Sequence, residues 1–312
     1  MLKAIEKEFK RSTHRDFQSV QQSLTELLHQ IKIASKNNYQ CILNSNAWGK
    51  NYHKLTIEEL FLMNLSDKDI LAILNISIYN AIAKDDYNML MDGVFTYTRL
   101  RFLNRTYLSG TNDWVAMESL IANDKELLSL VYPQSLTLEN DLYDYTYLLS
   151  SNLLRTILYN RNFGKQTFEQ YVEYIDKISA KFDVSFLKYL YALLTDNDEL
   201  CKISFEQMEQ LHSRCQWLAR GWYQEATMTK ILPVFLLGAI QLRKYTNTNL
   251  SVDISNEYLK NARDFIVNNP DCKHKLVMEF KGEISFLNVI LTNHFIPFYE
   301  QYKYKMENEI KR

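Results

Sequence analysis

The chain of 312 residues carries 36 basic and 37 acidic side chains, so its formal net charge is −1. This balance provides no overall positive field for a polyanion, and we expect no direct nucleic-acid binding. Glycine and proline are scarce, at seven and four residues, whereas the pair averages roughly 12% of residues. Because turn-rich β folds depend most on these two residues, the composition predicts an all-α chain.

The four cysteines lie far apart in the sequence, without the paired spacing of a disulfide framework; they are Cys41, Cys201, Cys215 and Cys272. Buried free thiols in a reducing compartment fit this pattern, so we expect a cytoplasmic protein. Residues 1–16 carry frequent charges and lack the apolar stretch of a signal peptide. The longest apolar stretches are either too short for a bilayer or broken by polar residues and proline, and we predict no membrane span.

The first strong helical pattern lies at residues 17–35, where apolar side chains recur every three or four positions. Thr56 and Ser66 each fit a helix N-cap, because an acidic residue follows three positions later. A long helix is predicted from Ser66 to the acidic residues after position 84, followed by an antiparallel partner that stops at Gly110.

Similar helical segments continue to the end of the chain, about a dozen in all by period and caps. Short acidic junctions recur between them, in AKDDYNML, ANDKELL and LTDNDELC. Their spacing is too irregular for a strict solenoid. We therefore predict an irregular bundle or array of antiparallel helical hairpins. It would form a single all-helical domain over residues 1–312, with a candidate sub-boundary near residues 160–166.

One predicted helix combines arginines with apolar residues on every side, which indicates burial among several neighbours. Arg101 and Arg105 lie four positions apart and share one stripe of this helix. They need carboxylate or carbonyl partners, because an unpaired buried charge costs several kcal/mol. Our interpretation is a structural charge network that fixes helix register; a ligand site is the alternative. The candidate acidic partners are Asp86, Asp113, Asp124 and Asp144.

Signatures of common enzymes are missing from the sequence. It has no glycine-rich phosphate loop, no G-x-S-x-G and no H-E-x-x-H, which excludes the corresponding classes. His212, Cys215, Cys272 and His274 could in principle surround a zinc ion, but packed thiols and surface histidines explain them more simply. We predict a protein that is not an enzyme, with no catalytic residue, no metal and no cofactor.

Acidic residues gather at the predicted helix junctions and in a second stretch, where they alternate with tyrosines. Such a surface captures a basic partner rapidly by electrostatic steering, and aromatic side chains provide anchors. The alternative is that acidic residues simply favour helix N-termini and solvent. The candidate partner-binding residues are Asp141, Tyr143, Asp144, Tyr145, Asp196 and Asp198.

The segments that begin between residues 78 and 128 follow a distinctive order: IYNAIAKDDYNMLMD, then YTRLRFL, then WVAMESLIANDKELLSLVYP. This order resembles the all-helical immunity proteins encoded beside bacterial polymorphic toxins, and in particular the Immunity protein 49 family. The later segments VSFLKYLYALLTDNDEL and LPVFLLGAIQLRKY are also similar to that family. The resemblance extends loosely over most of the chain and is closest between residues 78 and 128.

The resemblance implies an effector–immunity pair in bacterial competition. The chain would bind a cognate toxin or effector protein and neutralise it by occlusion, without turnover. A helical-repeat regulator or adaptor that binds a peptide in a concave groove is a second hypothesis. An all-helical enzyme with a metal or lipid substrate is a third. The sequence leaves open the identity of the toxin, the face that binds it and the oligomeric state.

Overall fold

The computed structural model of the protein describes residues 2–12, 15–36, 54–105, 115–133, 145–159, 181–218, 223, 226–246, 252–270 and 274–310. In these ranges the chain forms α-helices joined by turns and short 3₁₀ segments, and it contains no β-strand. The prediction of an all-α, irregular array of helical hairpins is confirmed.

The described helices, numbered in chain order, have the following bounds: α1 Leu2–Ser12, α2 Phe17–Lys36, α3 Ile57–Met63, α4 Asp67–Lys84, α5 Tyr87–Asn104, α6 Val115–Ile121, α7 Lys125–Val131, α8 Tyr145–Tyr159, α9 Lys181–Thr195, α10 Asp198–Leu211, α11 Val234–Gln241, α12 Glu257–Asn268, α13 Phe286–Ile290 and α14 Phe295–Lys305. Helix α5 ends at Asn104, before the predicted stop at Gly110, which lies outside the described residues.

The described residues belong to two compact units. Unit 1 is drawn from Met1–Val115, Glu225–Met228 and Cys272–Arg312, and unit 2 from Ala116–Gln224 and Thr229–Asp271. Compactness alone does not decide whether a unit folds independently, so the prediction of one domain stays a prediction. The predicted sub-boundary near residues 160–166 lies outside the described residues.

Helices α4 and α5 form an antiparallel hairpin in the interior of unit 1, as predicted. Most residues of both helices are buried, including every residue from Thr96 to Asn104. The hairpin is closely packed at Gly93, where an added Cβ would lie 1.9 Å from the Ser77 hydroxyl oxygen. Only a residue without a side chain allows the two helices this approach.

The N-cap predictions for α3 and α4 are confirmed. Thr56 and Glu59 form a complete capping box, in which each side chain accepts a hydrogen bond from the other residue's backbone N–H. The Ser66 hydroxyl accepts the N–H of Asp69 and donates to the Asp69 carboxylate at 2.6 Å. Local chemistry readable in the sequence therefore fixes where both helices begin.

Unit 1 also joins distant parts of the chain through an ion pair. The Lys305 ammonium in α14 lies 2.9 Å from each carboxylate oxygen of Glu59, which is only 2% exposed. Glu59 thus serves both as the acidic member of the capping box and as the partner of a lysine from the C-terminal helix. Its burial is compensated by charge and by hydrogen bonds.

Unit 2 contains α6 from its second residue onward and α7 to α12, and its core includes the strongly apolar helix α11. Gly238 of α11 lies against α6, where an added Cβ would come within 2.1 Å of the Met117 carbonyl oxygen. The Tyr223 hydroxyl donates a 2.5 Å hydrogen bond to Glu118, a carboxylate that is fully buried in α6. Close backbone approach and buried polar pairs together position the helices of this unit.

Three helix junctions share one design, in which two consecutive Asp or Asn residues replace the usual glycine. The first residue of each pair adopts the left-handed conformation, with φ of +57° at Asp85, +47° at Asn123 and +52° at Asp196. The second caps the next helix by accepting a backbone N–H through its side chain. Asp and Asn tolerate the left-handed region better than other side chains, which explains these turns in a glycine-poor chain.

Across the described ranges, no helix combines the length and apolar character needed to cross a membrane.

Candidate partner-binding surface

The helical hairpin α9–α10 of unit 2 carries two of the predicted partner-binding residues. Its inner side is fixed by buried side chains, and the rings of Tyr189 and Phe205 lie 5.7 Å apart between the two helices. The Tyr189 hydroxyl donates to the Ala239 carbonyl of α11 at 2.8 Å. The hairpin is therefore anchored to the core of unit 2, and its outer side is held in a defined position.

The junction of this hairpin is a compact helix stop followed directly by a helix start. Asp196 takes the left-handed position after α9, and the Asn197 N–H donates back to the Ala192 carbonyl at 3.1 Å. The Asn197 side chain then accepts the Leu200 N–H at 3.0 Å and caps α10. This geometry brings Asp196 and Asp198 together at the exposed tip.

The outward side of α10 continues the acidic tip. We call the exposed residues Asp196, Asp198, Glu199, Ile203 and Glu206 the hairpin face. Lys202 contributes one positive charge beside them, because its ammonium pairs with Asp198 at 2.7 Å. This hydrogen bond and the Asp198 charge raise the pKa of Lys202. The hairpin face and Lys202 together carry four carboxylates and one ammonium.

Ile203 places an apolar group among these charges. Its side chain is 46% exposed, one of the few large apolar side chains in the described ranges that reach solvent. The buried stripe of α10 runs through Cys201, Phe205 and Met208, so a helical wheel points Ile203 away from the core. Ile203 and Glu206 were not among the predicted partner-binding residues, although this periodicity is readable in the sequence. Single exposed apolar side chains are common on protein surfaces, so the combination of Ile203 with the acidic tip, rather than Ile203 alone, makes this face the candidate.

The second predicted acidic stretch lies largely beyond what the structure describes. Asp141, Tyr143 and Asp144 lie outside the described residues. Tyr145 is the first residue of α8, and its side chain is likewise outside the described part. Only the Asp196 and Asp198 pair of the predicted set can therefore be placed in a surface.

The arginines of α5 occupy two different environments in unit 1. Arg101 is fully buried and donates to the Tyr97 hydroxyl at 3.2 Å, while Arg105 lies at the helix end. Among the described residues, Asp67 of α4 has a carboxylate near both, at 4.0 Å from Arg101 and 2.9 Å from Arg105. Asp67 was absent from the predicted partners, because the pairing of helix ends across a hairpin cannot be read from local spacing.

Arg99 is held by aromatic rings on either side. Its guanidinium carbon lies 4.4 Å from the Phe95 ring centre and 4.3 Å from the Phe295 ring centre. It also donates to the Leu291 carbonyl at 2.9 Å. Because planar guanidinium groups stack well on aromatic faces, these contacts tie α5 to the C-terminal part of unit 1.

Two thiols and one histidine buried in unit 2 are kept neutral by their surroundings. Burial raises the pKa of both the Cys201 and Cys215 thiols to about 11 and lowers the pKa of His212 to about 4. Both thiols are free and buried, as the sequence predicted. Cys272 lies outside the described residues, and among the described ones no three His, Cys, Asp or Glu side chains are grouped as metal ligands.

Comparisons of the chain with family models, curated proteins and solved structures found no match.

Proposed function

We propose that this chain is an immunity protein, which binds a cognate bacterial toxin or effector domain and neutralises it by occlusion. The observation that supports this most is the hairpin face, a fixed helical surface where acidic side chains surround the exposed Ile203. A preformed surface of this kind suits inhibition, because little conformational entropy is lost when it docks.

The hairpin face combines charged groups with an apolar anchor, as is common at protein interfaces. Its carboxylates would attract a basic surface on the toxin and accelerate the encounter. Ile203 would enter a pocket on the toxin and slow dissociation, because buried apolar anchors near the centre of an interface carry much of the binding energy. The proposed action is stoichiometric binding in the cytoplasm, with no cofactor and no chemical turnover.

The proposal is tested with the product of the adjacent open reading frame as the candidate toxin. Cells that express this product alone should stop growing, and co-expression of the chain should restore growth. The purified proteins should also form a stoichiometric complex. Continued growth arrest despite abundant chain, with no complex between the purified proteins, would reject the proposal for this pair.

A substitution at the centre of the hairpin face tests the surface separately. Ile203→Ala should weaken the complex about tenfold, mainly through faster dissociation, because a buried apolar anchor is lost. Val267→Ala is the matched control, since Val267 is also an exposed aliphatic residue of unit 2, at 57% exposure on α12. Equal affinities for both variants would exclude Ile203 from the interface while leaving the immunity function intact.

A further inference from the structure

Unit 2 contains a cavity of about 320 Å³, and none of its lining residues belongs to the hairpin face. It lies where the start of α9 meets the residues that follow α10, and its apolar lining includes Phe182, Leu211 and Trp217. This volume is at the small end of the range of roughly 300 to 1,000 Å³ typical of ligand sites. The cavity is therefore suited to a small ligand that contains a single aromatic ring.

The aromatic wall of the cavity is held in place before any ligand arrives. The Trp217 indole N–H donates to the Asp183 carboxylate at 2.7 Å, which fixes the orientation of the ring. Trp217 also contacts Phe182 and Phe235 edge to face, with ring centres 5.9 Å and 5.7 Å apart. A ring held by a hydrogen bond and two neighbouring rings forms a rigid packing surface.

Two cations line the same cavity and favour a negatively charged ligand. Lys181 and Arg214 are both exposed, and neither forms an ion pair with any acidic side chain that the structure describes. Asp183 contributes one negative charge and accepts the Trp217 N–H, so the two cations outnumber the acidic groups of the lining by one. The remaining excess of positive charge favours a carboxylate, which arginine binds well through paired N–H donors.

The buried Cys215 thiol completes the apolar part of the lining. Burial raises its pKa to about 11, so the group remains an uncharged thiol near neutral pH. It adds an apolar contact and no competing negative charge.

We propose that this cavity binds a small aromatic carboxylate, with its ring against Trp217 and Phe182 and its carboxylate paired with Lys181 and Arg214. This inference is independent of the immunity function, because it concerns the isolated chain and needs no toxin. The recognition rests on two features that can be removed separately, the aromatic wall and the pair of cations.

The test compares N-acetyl-phenylalanine, which has a free carboxylate, with the uncharged N-acetyl-phenylalanine amide. Binding is followed by NMR through the indole N–H signal of Trp217, which is assigned by its loss in Trp217→Phe. The acid should shift this signal and bind about tenfold more tightly than the amide, because only the acid pairs with the cations. Equal affinities, or no shift with millimolar acid, would overturn the proposal.

Matched variants separate the local cations from general charge effects. The double variant Lys181→Gln and Arg214→Gln should reduce binding of the acid to the level of the amide. The control Lys230→Gln and Lys260→Gln removes two exposed cations of the same unit away from the cavity and should bind the acid as the wild type does. An equal loss in both double variants would contradict the assignment of Lys181 and Arg214.

The same chemistry is present in a free aromatic acid and in a polypeptide whose last residue is phenylalanine. The peptide Ala-Ala-Ala-Ala-Phe distinguishes the two sources. Tighter binding of the peptide than of N-acetyl-phenylalanine would identify a polypeptide terminus as the ligand, and weaker binding a small molecule. Either result supports the cavity chemistry, whereas failure of N-acetyl-phenylalanine to bind rejects it whatever the peptide does.

Discussion

His212 is a titratable residue enclosed in the interior of unit 2. It is 3% exposed, lies edge-on to the Phe182 ring at 6.2 Å, and has no hydrogen bond to its Nε2 atom from the part of the chain that the structure describes. Burial disfavours the charged imidazolium and lowers the pKa of His212 to about 4. The folded protein therefore holds this histidine in its neutral form.

This environment makes stability depend on pH. The ordinary pKa of the His212 side chain is 6.5, so between about pH 6.5 and pH 4 the unfolded chain binds a proton that the folded chain excludes. The free energy of unfolding should fall by a few kcal/mol as pH decreases through this window. Urea unfolding of the wild type and His212→Gln at several pH values measures the effect. Parallel profiles for the two proteins would exclude His212 as the cause.

At the scale of elements, the α4–α5 hairpin depends on the absence of a side chain at Gly93. Gly93→Ala should lower the free energy of unfolding by about 2 kcal/mol, because the new methyl group would overlap the Ser77 side chain. Urea denaturation measures the loss. The double variant Gly93→Ala and Ser77→Gly should recover part of it, since the obstructing side chain is then absent. If Gly93→Ala alone were as stable as the wild type, the two helices could move apart without a loss of free energy of unfolding.

The contact between α3 and α14 depends on the buried Glu59 carboxylate. Lys305→Met should destabilise the protein by about 3 kcal/mol, because the substitution leaves that carboxylate without its ammonium partner. Thermal and urea unfolding measure this change. Lys303→Met is the matched control. Lys303 is 48% exposed and its ammonium lies as far as 4.0 Å from Glu307, and such a surface pair contributes little stability. Equal effects of the two variants would contradict a special role for Lys305.

The elements differ in how far the sequence could predict them. The Asp and Asn pairs at the junctions were recognisable as helix boundaries, because left-handed turns and N-caps depend on adjacent residues. The pairing of Arg105 with Asp67 was not predicted, because it depends on which helix ends meet in the folded hairpin. A helical wheel could have predicted that Ile203 is exposed. That it lies among acidic side chains could not be predicted, because this depends on how the junction folds.

At the scale of the whole molecule, the near-zero net charge makes local charge patterns decisive. With 36 basic and 37 acidic side chains, attraction to a basic partner has to come from uneven distribution rather than from overall charge. The hairpin face provides such a local excess of carboxylates. If the chain is an immunity protein, its association with the toxin should therefore depend on salt and on this surface.

Neutralisation of the hairpin tip tests this expectation. Asp196→Asn and Asp198→Asn together should slow association about threefold or more at low salt and have little effect at high salt, because screening weakens electrostatic steering. Asparagine also tolerates the left-handed backbone of Asp196. Stopped-flow mixing with the toxin measures the rates. The control Glu279→Gln and Glu300→Gln removes two exposed charges of unit 1, and an equal slowing there would indicate a nonspecific effect.

The ion pair between Glu59 and Lys305 also constrains the order in which the protein can mature. Glu59 leaves the ribosome 246 residues ahead of Lys305, so the nascent chain presents this carboxylate long before its ammonium partner exists. All residues of unit 2 are synthesised in the interval. Unit 1 can reach its final electrostatic state only after translation has passed residue 305, so this ion pair forms later than the synthesis of unit 2.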